Sequence, residues 1–155
     1  MGDTLKAMID KTTLLSLLNI PGVGKRTVQT IINLVRQEGL AAADLPKLLN
    51  DIKPRYPRLK IPSMEDVKAA EMKATEILDR SDNGGIQVIS YFDKEFPERL
   101  RSIKDFPPVL YAKGDLGCLN KTPPTAVVGT RQPTKWGENS AEKIATRIAE
   151  KGVVV

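Results

Sequence analysis

Apolar residues recur at helical spacing through most of the first half of the chain. Leu14, Leu15, Leu17 and Leu18 follow Leu5, Met8 and Ile9, with the polar run Asp10-Lys11-Thr12-Thr13 between the two groups. The spacing predicts a helix, and the polar break predicts that it starts with Thr12 or Thr13 as its cap. Pro21-Gly22-Val23-Gly24 interrupts the pattern. It resumes at Lys25, with Val28, Ile31, Ile32 and Val35 on one face, and stops at Gly39, so two short helices joined by a glycine turn are expected. Residues 41–49 predict a third helix and the proline-rich residues 51–62 an irregular connector. Ser63 with Asp66 three positions on predicts a capped helix to about Asp79, burying Val67, Ala70, Ala74, Ile77 and Leu78. Ser81-Asp82-Asn83-Gly84-Gly85 then ends it and sets a domain boundary, dividing the chain into 1–82 and 86–155.

The pattern changes after Gly85. Six of the seven aromatic residues lie between Tyr91 and Trp136, so a different kind of core is expected there. Residues 86–91 and 109–112 read as strands and 95–103 as a short helix. A third apolar strand, 125–128, leads through Gly129-Thr130-Arg131 into a helix over 138–151 whose inner face carries Ala141, Ile144, Ala145 and Ile148. Gly152 ends that helix and Val153-Val154-Val155 begins another strand. Strand, helix, strand at this spacing predicts a parallel, right-handed βαβ unit. A buried β-branched run needs neighbours on both sides, and the sequence therefore reads as a truncated piece of a larger sheet.

Composition narrows the chemistry. The 155 residues are 41% hydrophobic and 28% charged, ordinary for a globular chain. The net charge of +5 is shared, +2 up to Gly85 and +3 beyond it, with no basic tail. Such a balance suits a polyanionic partner without identifying one. There is no histidine and one cysteine, Cys118, so histidine acid–base chemistry, an internal disulfide and a Cys/His metal site are not expected. No signal-like N-terminus or membrane-length apolar run is present, and a cytoplasmic location without membrane contact is expected. The basic connector Lys53, Arg55, Arg58 and Lys60 around Tyr56 reads as a solvated loop.

Two stretches are built to meet phosphate. In the first, Gly129 and Thr130 sit in a strand-to-helix turn that offers backbone N–H groups and a hydroxyl, Arg131 offers a bidentate fork, and Lys135 lies just beyond. The glycines there do not form G-x-G-x-x-G, so no dinucleotide cofactor is expected. The second is the hairpin. It resembles the helix-hairpin-helix motif, apolar-Pro-Gly-apolar-Gly followed by a helix, over residues 14–36. Gly22 and Gly24 would let the backbone approach a phosphate, and Lys25 and Arg26 would add charge at the same helix end. Plain helix packing explains such a hairpin equally well.

Residues 88–155 resemble the DNA-processing protein A family (DprA, also called Smf). Phe96-Pro97 with Leu100 and Ile103 is similar to the family's "YP..L..I", and 106–114 to its "D.P..L...G". Val127-Val128-Gly129-Thr130-Arg131 resembles "VGSR" with threonine for serine, and Gly137, the long helix and residues 152–155 continue in family order. The resemblance implies an N-terminal all-α helix-hairpin-helix (SAM-like) domain followed by the start of a Rossmann-like α/β domain. It also implies single-stranded DNA binding, delivery of that DNA to the recombinase RecA in natural transformation, and a homodimer formed through the Rossmann-like domain. It places Gly129, Thr130 and Arg131 in the DNA-phosphate pocket, with Lys135 beside it, and assigns no catalytic residue. The family continues with an "SG.A.GID..AH" segment that this sequence lacks. Two other readings remain open: a Rossmann-like nucleotide or nucleoside-phosphate hydrolase, with Glu138 the nearby carboxylate, and a hairpin module that docks protein without touching DNA.

Overall fold

The computed structural model describes residues 9–38, 45–118 and 124–155. Close packing divides the chain into two units, Met1–Gly114 and Asp115–Val155. The first holds helices α1 (Lys11–Asn19), α2 (Lys25–Glu38), α3 (Leu45–Ile52) and α4 (Met64–Asn83), then strand β1 (Gln87–Ser90), the one-turn helix α5 (Glu98–Arg101) and strand β2 (Val109–Ala112). The second holds a 3-10 turn at Leu116–Cys118 and helix α6 (Lys135–Ala149). Helices with a small sheet make this a mixed α/β chain.

Helix α1 starts one turn earlier than the sequence suggests. Asp10, not Thr12 or Thr13, is its cap, accepting from the Thr13 backbone N–H at 2.7 Å. A carboxylate caps at least as well as a threonine hydroxyl and adds negative charge at the positive helix end. Helix α4 opens on the expected capping box, with Ser63 Oγ accepting from Asp66 N–H and an Asp66 carboxylate oxygen from Ser63 N–H. It runs past Asp79 to Asn83, where the Gly84 N–H closes its end on the Arg80 and Ser81 carbonyls, and buried Ser81 donates to the Ile77 carbonyl at 2.7 Å. Gly85, at φ +63°, then reverses the chain. Helix α3 is described from Leu45; the expected start at 41–44 lies outside the described residues, as do Leu5 and Met8. In the connector after α3, Lys53 Nζ donates to the carbonyls of Pro57 and Leu59, and Leu59 is buried. That basic residue pins its own loop.

β1 and β2 pair antiparallel, with Val88 opposite Tyr111 and Ile89 opposite Leu110. Leu15 of α1, Ala74 of α4 and Val88 of β1 form one buried cluster, against which Ile77, Leu78 and Val109 pack. The sheet therefore shares its core with the helices, and the boundary read at 82–86 falls inside the first unit. Ser90, buried on β1, has a hydroxyl without a hydrogen-bond partner among the described residues. Desolvating a hydroxyl that stays unpaired costs about 1 kcal/mol or more. Ser90→Ala is expected to leave stability unchanged or raise it by about 1 kcal/mol in urea unfolding; a clear loss would mean the hydroxyl is bonded in solution.

Two sequence expectations need correction. The helix expected over 95–103 shrinks to Glu98–Arg101, because Pro97 bars the preceding Phe96 from helical geometry and becomes the cap itself. Neither 125–128 nor 153–155 forms a strand; one backbone bond, Thr125 N–H to the Val154 carbonyl at 2.8 Å, joins them. A ladder persists when its residues are packed on their faces, whereas residues 125–128 are all exposed, Val128 at 87%.

Candidate nucleic-acid interface

In the second unit, Gly129, Thr130 and Arg131 occupy an exposed loop, and α6 begins four residues after Arg131 at Lys135. Thr130 Oγ1 accepts from Gln132 N–H at 3.3 Å, which turns the chain directly after Arg131. Thr134 caps α6 by accepting from Gly137 N–H at 3.2 Å. A Cβ on Gly137 would stand 3.4 Å from that hydroxyl, an ordinary van der Waals contact. Arg131 and Lys135 are exposed and have no side-chain partner among the described residues. Gly129 has no left-handed φ, and a Cβ built on it meets nothing within 4 Å. Among the described residues nothing crowds the position, and the bare backbone there is open to close approach.

In the first unit, Gly22 sits at φ +80°, where L-residues are strained, and makes the sharp turn between α1 and α2. Gly24, like Gly129, has no left-handed φ and open space where a Cβ would stand. Backbone bonds from Val23, Thr27 and Val28 hold the turn. Lys25 is engaged elsewhere: its Nζ lies 2.9 Å from Asp105 Oδ2 and donates to the Asp105 carbonyl at 3.2 Å. Arg26 is exposed and its guanidinium makes no direct hydrogen bond or ion pair among the described residues, its charge acting on Asp105 at longer range. The phosphate candidates thus form two sets in different units, each gathered by its own loop.

Sequence reading missed what holds α2 in place. Gln29 is buried and donates to the Phe106 carbonyl at 2.6 Å and to Asp105 Oδ1 at 3.0 Å. A glutamine interrupting the apolar face beside Val28 and Ile32 was the available signal. Hydrogen bonds from Gln29 and then Lys25, helped by the charges of Lys25 and Arg26, hold the Asp105 carboxyl below its usual range. The sign follows directly. A depressed carboxylate pKa stabilises the fold above about pH 4, and the contribution is lost as pH falls through the lowered folded-state value. The stability gap between wild type and Asp105→Asn is expected to be open at pH 6 and to close below pH 4 in thermal melts. It is expected to be small, since the pair is exposed.

At the far end of α2, Arg36 Nη1 donates to Tyr91 Oη at 2.7 Å and its guanidinium lies 5.6 Å from that ring's centroid. Arg101 donates from Nε to the Tyr91 carbonyl at 3.1 Å and covers the rings of Tyr91 and Phe96. Among the described residues no group of three Cys, Asp or Glu is placed to hold a metal, and no helix is long and apolar enough to cross a membrane.

Residues 87–155, which contain the Gly129–Arg131 loop, match the family model for DNA recombination-mediator protein A. The chain is also 33% identical over 125 residues to the DNA processing protein DprA of Bacillus subtilis (strain 168), an alignment covering 81% of this chain and 36% of that protein. The two matches support assigning the chain to the DprA family, one of DNA-processing and recombination mediators. It spans about a third of the length of the curated relative it matches. No solved structure matches it significantly. The family segment begins at Gln87, close to the boundary read from the sequence, even though β1 and β2 pack with the helices before it.

Proposed function

We propose that the protein binds single-stranded DNA by its phosphates and passes it to a RecA-type recombinase during transformation, acting in the cytoplasm as a homodimer and without catalysing a reaction. In this reading Gly129, Thr130, Arg131 and Lys135 form the phosphate site, α1 and α2 are a helix-hairpin-helix, and the region from Gln87 onward opens a Rossmann-like domain. The observation that carries it is the Gly129–Arg131 loop within the matched family segment: an exposed guanidinium with no partner among the described residues, beside a glycine whose surroundings are open. A guanidinium grips phosphate through a planar fork, and a bare backbone lets the anion come close.

Binding of a fluorescent oligo-dT to the protein tests the reading. Affinity is expected to fall linearly with salt on logarithmic axes, with a slope of about −0.7 for each phosphate neutralised. Absence of binding at low salt, or binding indifferent to salt, overturns it.

A further inference from the structure

Outside the Gly129–Arg131 loop, the first unit carries a groove of about 570 Å³ lined by Arg26, Gln29, Thr30, Asn33, Lys104 and Asp105. Four of these residues recur at positions 26, 29, 30 and 33, which is one face of α2; the other two come from the segment between α5 and β2. Every lining residue is polar or charged. Among the described residues the groove is lined by no aromatic or aliphatic side chain of the kind that anchors a protein partner's hot spot.

Its charges are arranged unevenly. Asp105 is already matched: it accepts from Gln29 and is paired with Lys25. Arg26 and Lys104 are exposed, with no side-chain partner among the described residues. Neither do the Asn33 amide and the Thr30 hydroxyl lone pairs have a partner there, since Thr30 Oγ1 only donates, to the Arg26 carbonyl at 3.0 Å. Lys25 thus neutralises Asp105 and Gln29 fixes it in the groove's wall, and the exposed Arg26 and Lys104 leave the groove's mouth positive.

We propose that this groove is a second phosphate-contact site, holding the sugar–phosphate backbone of a single DNA strand through Arg26 and Lys104. The proposal rests on the DNA-binding reading above. It shifts the hairpin's contribution from Lys25, which faces Asp105, to Arg26 with Lys104, a residue far away in sequence. Contacts of this kind read the backbone and not the bases, so binding here is insensitive to sequence.

The test measures oligo-dT affinity by fluorescence anisotropy across a salt series for Arg26→Gln/Lys104→Gln and for Lys68→Gln/Lys73→Gln, which removes the same charge from exposed positions on α4. All four side chains are exposed, so both variants are expected to melt as wild type does. The first variant is expected to bind roughly 10- to 30-fold more weakly at 0.1 M salt, with a salt slope shallower by about 1.4, the value for two lost contacts to a single strand. The second is expected to stay within about twofold of wild type. Equal losses in the two variants would reduce the effect to net charge and overturn the site. Competition by a poly-glutamate peptide as effective as by unlabelled oligo-dT would also overturn it, giving the groove to an acidic protein segment. If Arg131→Ala weakens binding while Arg26→Gln/Lys104→Gln does not, the groove is excluded and the Arg131 site stands. If wild type binds no oligonucleotide, both fall.

Discussion

Arg131→Ala is expected to weaken binding of single-stranded oligonucleotide by roughly 10- to 100-fold, with the fold unchanged. A charge-assisted hydrogen-bonded contact is worth about 1.5–3 kcal/mol, and about 1.4 kcal/mol is a factor of ten. The loss should reach affinity undiluted, because the side chain is exposed and makes no contact among the described residues that truncation would break. The salt slope should become shallower by about 0.7, one phosphate's share for a single strand. Arg131→Lys separates charge from geometry. It keeps the cation and should keep the slope, yet it loses the planar fork and should recover only part of the affinity. Gly129→Ala provides a complementary test, since a methyl there meets nothing inside the protein. A loss of affinity in that variant without a change in melting temperature would locate the ligand against the backbone at Gly129. Unchanged affinity and slope in Arg131→Ala would remove the loop from the interface.

How much of this was legible in the sequence depended on whether the deciding contact was local. The capping box at Ser63–Asp66, the limits of α2 and strand β2 were readable because each is set by residues a few positions apart. The exposed Gly129–Arg131 loop just before α6 is likewise a local feature, although no strand leads into it. What was hidden lies between distant segments. Lys25 looks like a free cation in sequence, and only the fold brings Asp105, eighty positions away, to its ammonium group. Lys104 carried no signal, since a lysine before an aspartate is unremarkable until α2 lies alongside. The strand expected at 125–128 failed for a related reason: β-branched residues favour a strand only when something packs on them, and those residues are exposed. The domain boundary expected at 82–86 rests on local turn signals, whereas Val88 buries itself against Leu15 and Ala74, so the packing unit continues across it.

Tyr91→Ala is expected to produce the largest loss of stability, about 3–5 kcal/mol, the range for removing a buried aromatic ring. Tyr91 is 2% exposed, with ring centroids at 4.5 Å from Phe106, 5.4 Å from Phe96 and 5.5 Å from Phe92. Its removal leaves a cavity bounded by three other aromatics and uncovers the guanidinium groups of Arg36 and Arg101, which lie against its ring. For a unit of this size the melting temperature should fall by on the order of 10–20 °C. Tyr91→Phe divides that cost. It keeps the ring and removes only the hydroxyl that accepts from Arg36, an exposed residue that can turn back to water, so the expected loss is about 0.5–1.5 kcal/mol. If the phenylalanine variant lost as much as the alanine variant, the bond to Arg36 would outweigh the ring packing, and α2 would be tethered by one polar contact at its C-terminal end. The expected ordering, with alanine far worse than phenylalanine, means instead that Tyr91 contributes chiefly through its packing on Phe92, Phe96 and Phe106. The groove's two walls keep their register through the bonds of Gln29 and Lys25 to Asp105 and Phe106, and Arg26 and Lys104 remain exposed for a ligand.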